Sequence, residues 1–133
     1  MRQIRFRAKA LKGRRWVYGD LLHAGTDPAD GEFEIMYWDD ESGWMQERID
    51  PATIGQLTSL RDINGKDIYE GDILDVNYAD EESYLEVRFV RGVFAFLWDG
   101  DLDDEFPCNA PTHEWAKVIG NIYDNPELLN KED

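Results

Sequence analysis

Leu74-Asp75-Val76-Asn77-Tyr78, Leu85-Glu86-Val87-Arg88-Phe89 and Val93-Phe94-Ala95-Phe96-Leu97-Trp98 are short apolar runs, parted by the acidic loop Ala79 to Ser83 and by Arg91-Gly92. In the first, Leu74, Val76 and Tyr78 face one way and Asp75 and Asn77 the other; in the second, Leu85, Val87 and Phe89 alternate with Glu86 and Arg88. Side chains alternate across a strand, so a period of two with one apolar side specifies a half-buried strand. The third run is apolar on both faces, as a central or doubly covered strand requires. This stretch predicts a three-strand antiparallel meander.

Upstream of it, Glu70-Gly71-Asp72 marks a turn. Asn64-Gly65 is a strong hairpin signal, predicting a type I′ turn in which both central residues take positive φ. The first third carries the same period of two. Ile4, Phe6 and Ala8 alternate with Arg5, Arg7 and Lys9, and strands follow at Trp16 to Leu22, at Phe33, Ile35 and Tyr37, and at Trp44 to Ile49. Polar loops at Ala24 to Gly31 and Asp39 to Gly43 separate them, and no 3.6-residue period is sustained long enough for a helix. Downstream come an acidic loop at Asp99 to Glu105, Pro107, Pro111, and a strand from about Trp115 to Tyr123. Asn125-Pro126-Glu127 predicts a helix start, with Asn as N-cap, Pro at the first helical position and room for one or two turns. Thr53-Ile54-Gly55-Gln56-Leu57 is echoed by Val118-Ile119-Gly120-Asn121-Ile122, as two strands with a central glycine kink or bulge would be. The expected fold is therefore all-β, or mainly β with one short C-terminal helix. A small barrel-like or two-layer antiparallel arrangement is expected, centred on residues 54–98. Residues 1–133 read as a single domain, with two small β subdomains split near Pro51 as the alternative.

At 133 residues with 42% hydrophobic and 13% aromatic content, the chain is long enough for a core and too aromatic to be disordered. No apolar run approaches the ~20 residues that span a bilayer. Lys9 and Lys12 break up any N-terminal apolar stretch, which argues against a signal peptide. Cys108 is the only cysteine, so no internal disulfide forms, and a reducing, cytoplasmic setting is expected. Charge is unevenly placed. Residues 1–19 hold seven basic and no acidic side chains, so within a total of −15 the remainder carries −22. An acidic body repels nucleic-acid phosphates. Arg5, Arg7 and Lys9, on one face of the first strand, are instead the candidate protein-contact face. They are expected to meet carboxylates such as Glu32 and Glu34, within the subunit or across a subunit contact.

Sites for chemistry are sparse. Asp99, Asp101 and Asp103 have the spacing of an EF-hand's first ligands, yet position six is Asp104 where glycine is needed and position twelve is Ala110 where glutamate is needed. A solvated acidic loop fits better. Cys108, His113 and His23 fall short of the four ligands of a structural zinc site, and no motif marks an orienting group or oxyanion hole for a Cys/His nucleophile. Phosphate-cradling glycine loops and nucleophile elbows are absent from the sequence. The aromatics Trp16, Tyr18, Trp38, Trp44, Phe94, Phe96, Trp98 and Trp115 have the ring faces to stack on bases or sugars, but their strand patterns place most of them in the core.

Three stretches together resemble a known family. They are residues 1–8 with Trp16-Val17-Tyr18-Gly19-Asp20-Leu21, the block from Thr53 to Ile73 that includes Asp62-Ile63-Asn64-Gly65-Lys66-Asp67-Ile68-Tyr69-Glu70-Gly71-Asp72, and Val118 to Leu128. The chain resembles the YopX family, small proteins encoded by bacteriophages and prophages. It departs at Ser59, where that family usually has glycine. The resemblance implies a mainly β fold and a place in the bacterial cytoplasm during infection or from a prophage. It implies no activity and brings no catalytic residue. The expectation is a non-enzymatic accessory protein with no cofactor and no metal, which binds a host or phage protein or itself as a homo-oligomer. Two alternatives stand beside it: an acidic nucleic-acid mimic that occupies a host DNA-binding protein, and a small-molecule enzyme. Direct nucleic-acid or membrane binding is not expected.

Overall fold

The alternation at the N-terminus builds the first of two compact units, residues 1–57 and 58–133. The computed structural model describes residues 3–23, 32–76, 84–102, the backbone of 105–107, and 111–129. The first unit contains β1 (Phe6–Lys9), β2 (Trp16–His23), β3 (Phe33–Asp39), β4 (Gly43–Ile49) and the start of β5 (Gly55–Arg61), in the spatial order β4-β3-β2-β1-β5. Register sorts the side chains. Ala8 lies opposite Val17, Leu21 opposite Ile35 and Phe33 opposite Ile49, so the apolar positions of four strands share one face. Ala8, Ala10, Val17, Ile35 and Ile49 are the buried centre of that face. Asp50 accepts from Ala52 N at 3.1 Å and starts a 3-10 turn at Pro51–Thr53. Thr53 Oγ1 then accepts from Lys9 N at 2.9 Å, fastening the turn to β1. An Ala10–Ile49 bridge draws the ends of β1 and β4 together, but the sheet stays open and no closed barrel forms.

In the second unit the meander appears, its first strand lying earlier than the Leu74 to Tyr78 run, of which Asn77 and Tyr78 lie outside the described residues. β7 (Asp72–Asp75), β8 (Tyr84–Val90) and β9 (Val93–Trp98) are consecutive neighbours in the order β10-β9-β8-β7-β11, with β10 at Glu105–Pro107 and β11 at Lys117–Asn121. β9 is an interior strand whose Ala95, Phe96 and Leu97 are buried, as its two apolar faces require. Leu74, Val76, Leu85, Val87 and Phe96 join Ile68 of β6 (Asp67–Tyr69) and Ala116 in one core. Trp115 stacks edge-on against Phe96, with centroids 5.7 Å apart. Asp62 is 2% exposed and accepts from Asn64 N, Lys66 N and Val118 N, tying the β5–β6 loop to β11.

One local expectation is corrected. The Asn64-Gly65 turn is not type I′: only Gly65 takes positive φ, at +78°, and Gly65 N bonds Asp62 O at 2.9 Å. Paired with the Asp62 N to Lys66 O bond, this is a three-residue loop with a left-handed glycine, favoured because the Asp62 carboxylate binds the loop's N–H groups. The true two-residue turn is Arg91-Gly92, with φ of +48° and +85° between the paired Val90 and Val93. At the C-terminus the expected short helix is a single 3-10 turn, Pro126–Leu128, with Asn125 at the N-cap position and Pro126 first, while Asn125 Oδ1 accepts from Asn121 N at 3.2 Å. Of the two echoed segments, the second has its bulge, between Val118 and Gly120.

Candidate functional site

The basic strand was expected to set Ile4, Phe6 and Ala8 inward and Arg5, Arg7 and Lys9 outward. β1 begins only at Phe6, so Ile4 escapes the alternation and is 60% exposed. Register puts Arg7 opposite Tyr18 and Lys9 opposite Trp16, on the sheet face away from Ala8 and Val17. There ring faces meet the cations. The Arg7 guanidinium lies 4.7 Å and Lys9 Nζ 5.5 Å from the Trp16 centroid, and Arg5 lies 5.8 Å from that of Tyr18. Such contacts contribute ~0.5–1 kcal/mol when exposed and about 2 when desolvated. Arg7, only 5% exposed, belongs to the desolvated kind, while Arg5 and Lys9 are half-buried.

Further cations of the basic segment pair with carboxylates. Arg14 meets Asp50 at 3.1 Å, and Arg15 bonds Glu47, whose other oxygen accepts from the Tyr37 hydroxyl at 3.0 Å. Glu32 pairs with Arg48 at 2.9 Å, because β2 stands between β1 and β3 and keeps the expected acidic strand away from the basic one.

The same outer face continues across the sheet as Asp20, Met36, Trp38 and Trp44. Trp38 and Trp44 are cross-strand partners, stacked edge to face with centroids 5.4 Å apart, and are 58% and 63% exposed. With Arg5, Tyr18, Asp20 and Met36 they line a groove of about 520 Å³. Gly19 also borders it, and a Cβ there would fall 2.2 Å from Met36 O, so the close approach of β2 and β3 requires glycine. Expecting most of these aromatics in the core is therefore right for Phe96 and wrong for Trp38 and Trp44. The signal was present: Phe33, Ile35 and Tyr37 point inward, and a period of two sends Trp38 outward.

His23 packs edge-on against Phe33, with centroids 5.1 Å apart, and His113 is exposed with Glu114 at 3.8 Å. Asp99 Oδ1 accepts from Tyr84 N at 3.2 Å. Cys108, Asp103, Asp104 and Ala110 lie outside the described residues, as do the Ala24 to Gly31 and Ala79 to Ser83 loops except Ser83's successor Tyr84, which opens β8.

The family model for YopX protein matches residues 5–130, running through both units. The chain belongs to the YopX family. A YopX relative, the SPbeta prophage-derived uncharacterized protein YopX of Bacillus subtilis (strain 168), is 30% identical over 75% of this chain and 91% of that one. The crystal structure of protein EF1440 from Enterococcus faecalis shares the fold, with a TM-score of 0.59 at 24% identity, covering 98% of this chain and all of the other. At Ser59, where the sequence resemblance leads one to expect glycine, the backbone is left-handed with φ +71°, a conformation that suits glycine.

Proposed function

We propose that the protein is a prophage- or phage-encoded accessory factor of the bacterial cytoplasm that binds another protein and catalyses no reaction. Its docking surface is the outer face of the first sheet. One observation carries this reading: two tryptophans, each more than half exposed, stand side by side in a groove. Exposed indoles cost solubility, and buried aromatic anchors dominate protein interfaces. The prophage origin of the Bacillus relative supports the setting. Among the described residues no helix is long and apolar enough to cross a membrane.

The net charge of −15 favours a second reading, a nucleic-acid mimic that holds a host DNA-binding protein through its carboxylates. The experiment compares proteins retained from bacterial lysate by the wild-type chain and by a W38A/W44A variant. The expected outcome is loss of a specific retained protein at unchanged melting temperature. Equal retention by both chains refutes the tryptophan face, and equal retention that disappears at high salt favours the mimic.

A further inference from the structure

Cations of this chain already occupy ring faces on the outer side of the first sheet: Lys9 and Arg7 at Trp16, Arg5 at Tyr18. The pattern stops at the far strands. Among the described residues, Trp38 and Trp44 stack only on each other and no cation of the chain lies over them. Asp39-Asp40-Glu41-Ser42 joins the two strands that carry them. Asp39 is committed to that turn, its Oδ1 accepting from Glu41 N at 2.8 Å and Ser42 N at 3.0 Å. Asp40 and Glu41 are exposed, and among the described residues their carboxylates form no ion pair.

We propose that Trp38 and Trp44, with Asp40 and Glu41, receive an arginine side chain from a basic segment of the partner protein. This rests on the protein-binding reading above and names its partner's chemistry. An indole face attracts a cation through its quadrupole, and a guanidinium both stacks flat on the ring and forks toward carboxylates. The net charge of −15 raises the local concentration of a basic partner and speeds its encounter. The same carboxylates, on the turn that joins the two tryptophan-bearing strands, repel phosphates, which disfavours nucleic acid at this spot.

The test follows the tryptophan indole N–H signals of the full chain by NMR. Three probes are titrated: a peptide alternating arginine and glycine, its citrulline counterpart of equal shape and no charge, and a thymidine oligonucleotide. The arginine peptide is expected to shift the Trp38 and Trp44 signals, with the citrulline peptide about tenfold weaker, on the scale of a cation–π contact plus an ion pair. D40N/E41Q, confined to an exposed turn, should weaken the arginine peptide by roughly three- to tenfold while the circular dichroism spectrum stays unchanged. Equal binding of the arginine and citrulline peptides overturns the arginine assignment and leaves the protein-binding face standing. A stronger response to the oligonucleotide overturns both. Silence from every probe overturns the arginine assignment, and the lysate comparison of W38A/W44A then decides the docking face separately.

Discussion

At φ +71° the Cβ of Ser59 crowds its own backbone, a conformation that costs an L-residue about 1–2 kcal/mol. Glycine relieves that strain and returns ~0.4–1 kcal/mol of it through the freer unfolded chain. Ser59→Gly should therefore stabilise the protein by about 0.5 kcal/mol, read as a slightly higher Tm; a lower Tm would refute the strain. Two buried carboxylates should respond to pH in opposite directions. Burial pushes Asp62 up, but hydrogen bonds from the Val118, Lys66 and Asn64 N–H groups outweigh it and hold the carboxyl below its ordinary value. A depressed value means that the stabilisation is complete above the ordinary carboxylate range and fades as pH falls through the folded-state value. Asp62→Asn should cost about 1–3 kcal/mol at neutral pH, with the gap to wild type closing in acid. Burial raises Glu86, with Arg88 opposing, so its ionised form weakens the fold as pH climbs above the ordinary carboxylate value. Glu86→Gln should then be neutral or stabilising at pH 7, since Arg88 is exposed enough to be solvated alone. Urea melts across pH check both signs.

Among the elements, turns whose chemistry is local were read less surely than strands whose pattern is repeated. The three meander strands and β2 to β4 were legible because each run is five or more residues long and either alternates or, in β9, is apolar on both faces. β6 and β10 were not, since three residues carry too little period to see. Asn64-Gly65 misled because a carboxylate two positions earlier, Asp62, captures the loop N–H groups, and that competition is invisible to a dipeptide rule. For the candidate face, the outward parity of Arg5, Arg7 and Lys9 was readable. That the rings of Trp16 and Tyr18 lie against them was not, because strand order decides it and β2 follows β1 through a hairpin. The Arg91-Gly92 turn gives the sharpest element-level prediction. Both residues are left-handed, so Gly92→Ala should cost about 1 kcal/mol and Arg91→Asn, which tolerates that region, should gain a few tenths. Equal melting temperatures for all three chains would show that the hairpin tip does not hold its type I′ geometry in solution. In the first unit, Arg5→Glu with Arg7→Glu replaces two ring-facing cations by anions beside Trp16 and Tyr18 and should destabilise by about 2 kcal/mol or more.

On the scale of the whole chain, the excess of 29 acidic over 14 basic residues acts on folding and on binding with opposite sign. Within the folded protein the surplus carboxylates repel one another, and compaction brings them closer than the unfolded chain does. Added salt shortens the Debye length from ~30 Å at 0.01 M to about 10 Å at 0.1 M, which removes repulsion between exposed charges spread over the surface. Melting temperature should accordingly rise between low and moderate sodium chloride. The buried Arg7–Trp16 contact and the apolar cores are little screened, so they do not counteract the trend. Attraction of a basic partner falls by the same screening, and its association rate should drop more than its dissociation rate climbs, because steering is the long-range part. The two trends are measured on one preparation, by calorimetry for the fold and by stopped-flow indole fluorescence for the arginine peptide. A Tm that falls with salt would mean that the ion pairs Arg14–Asp50, Arg15–Glu47 and Arg48–Glu32 outweigh the net repulsion. An association rate indifferent to salt would mean that the acidic surface plays no part in finding the partner, and that the two tryptophans act by contact alone.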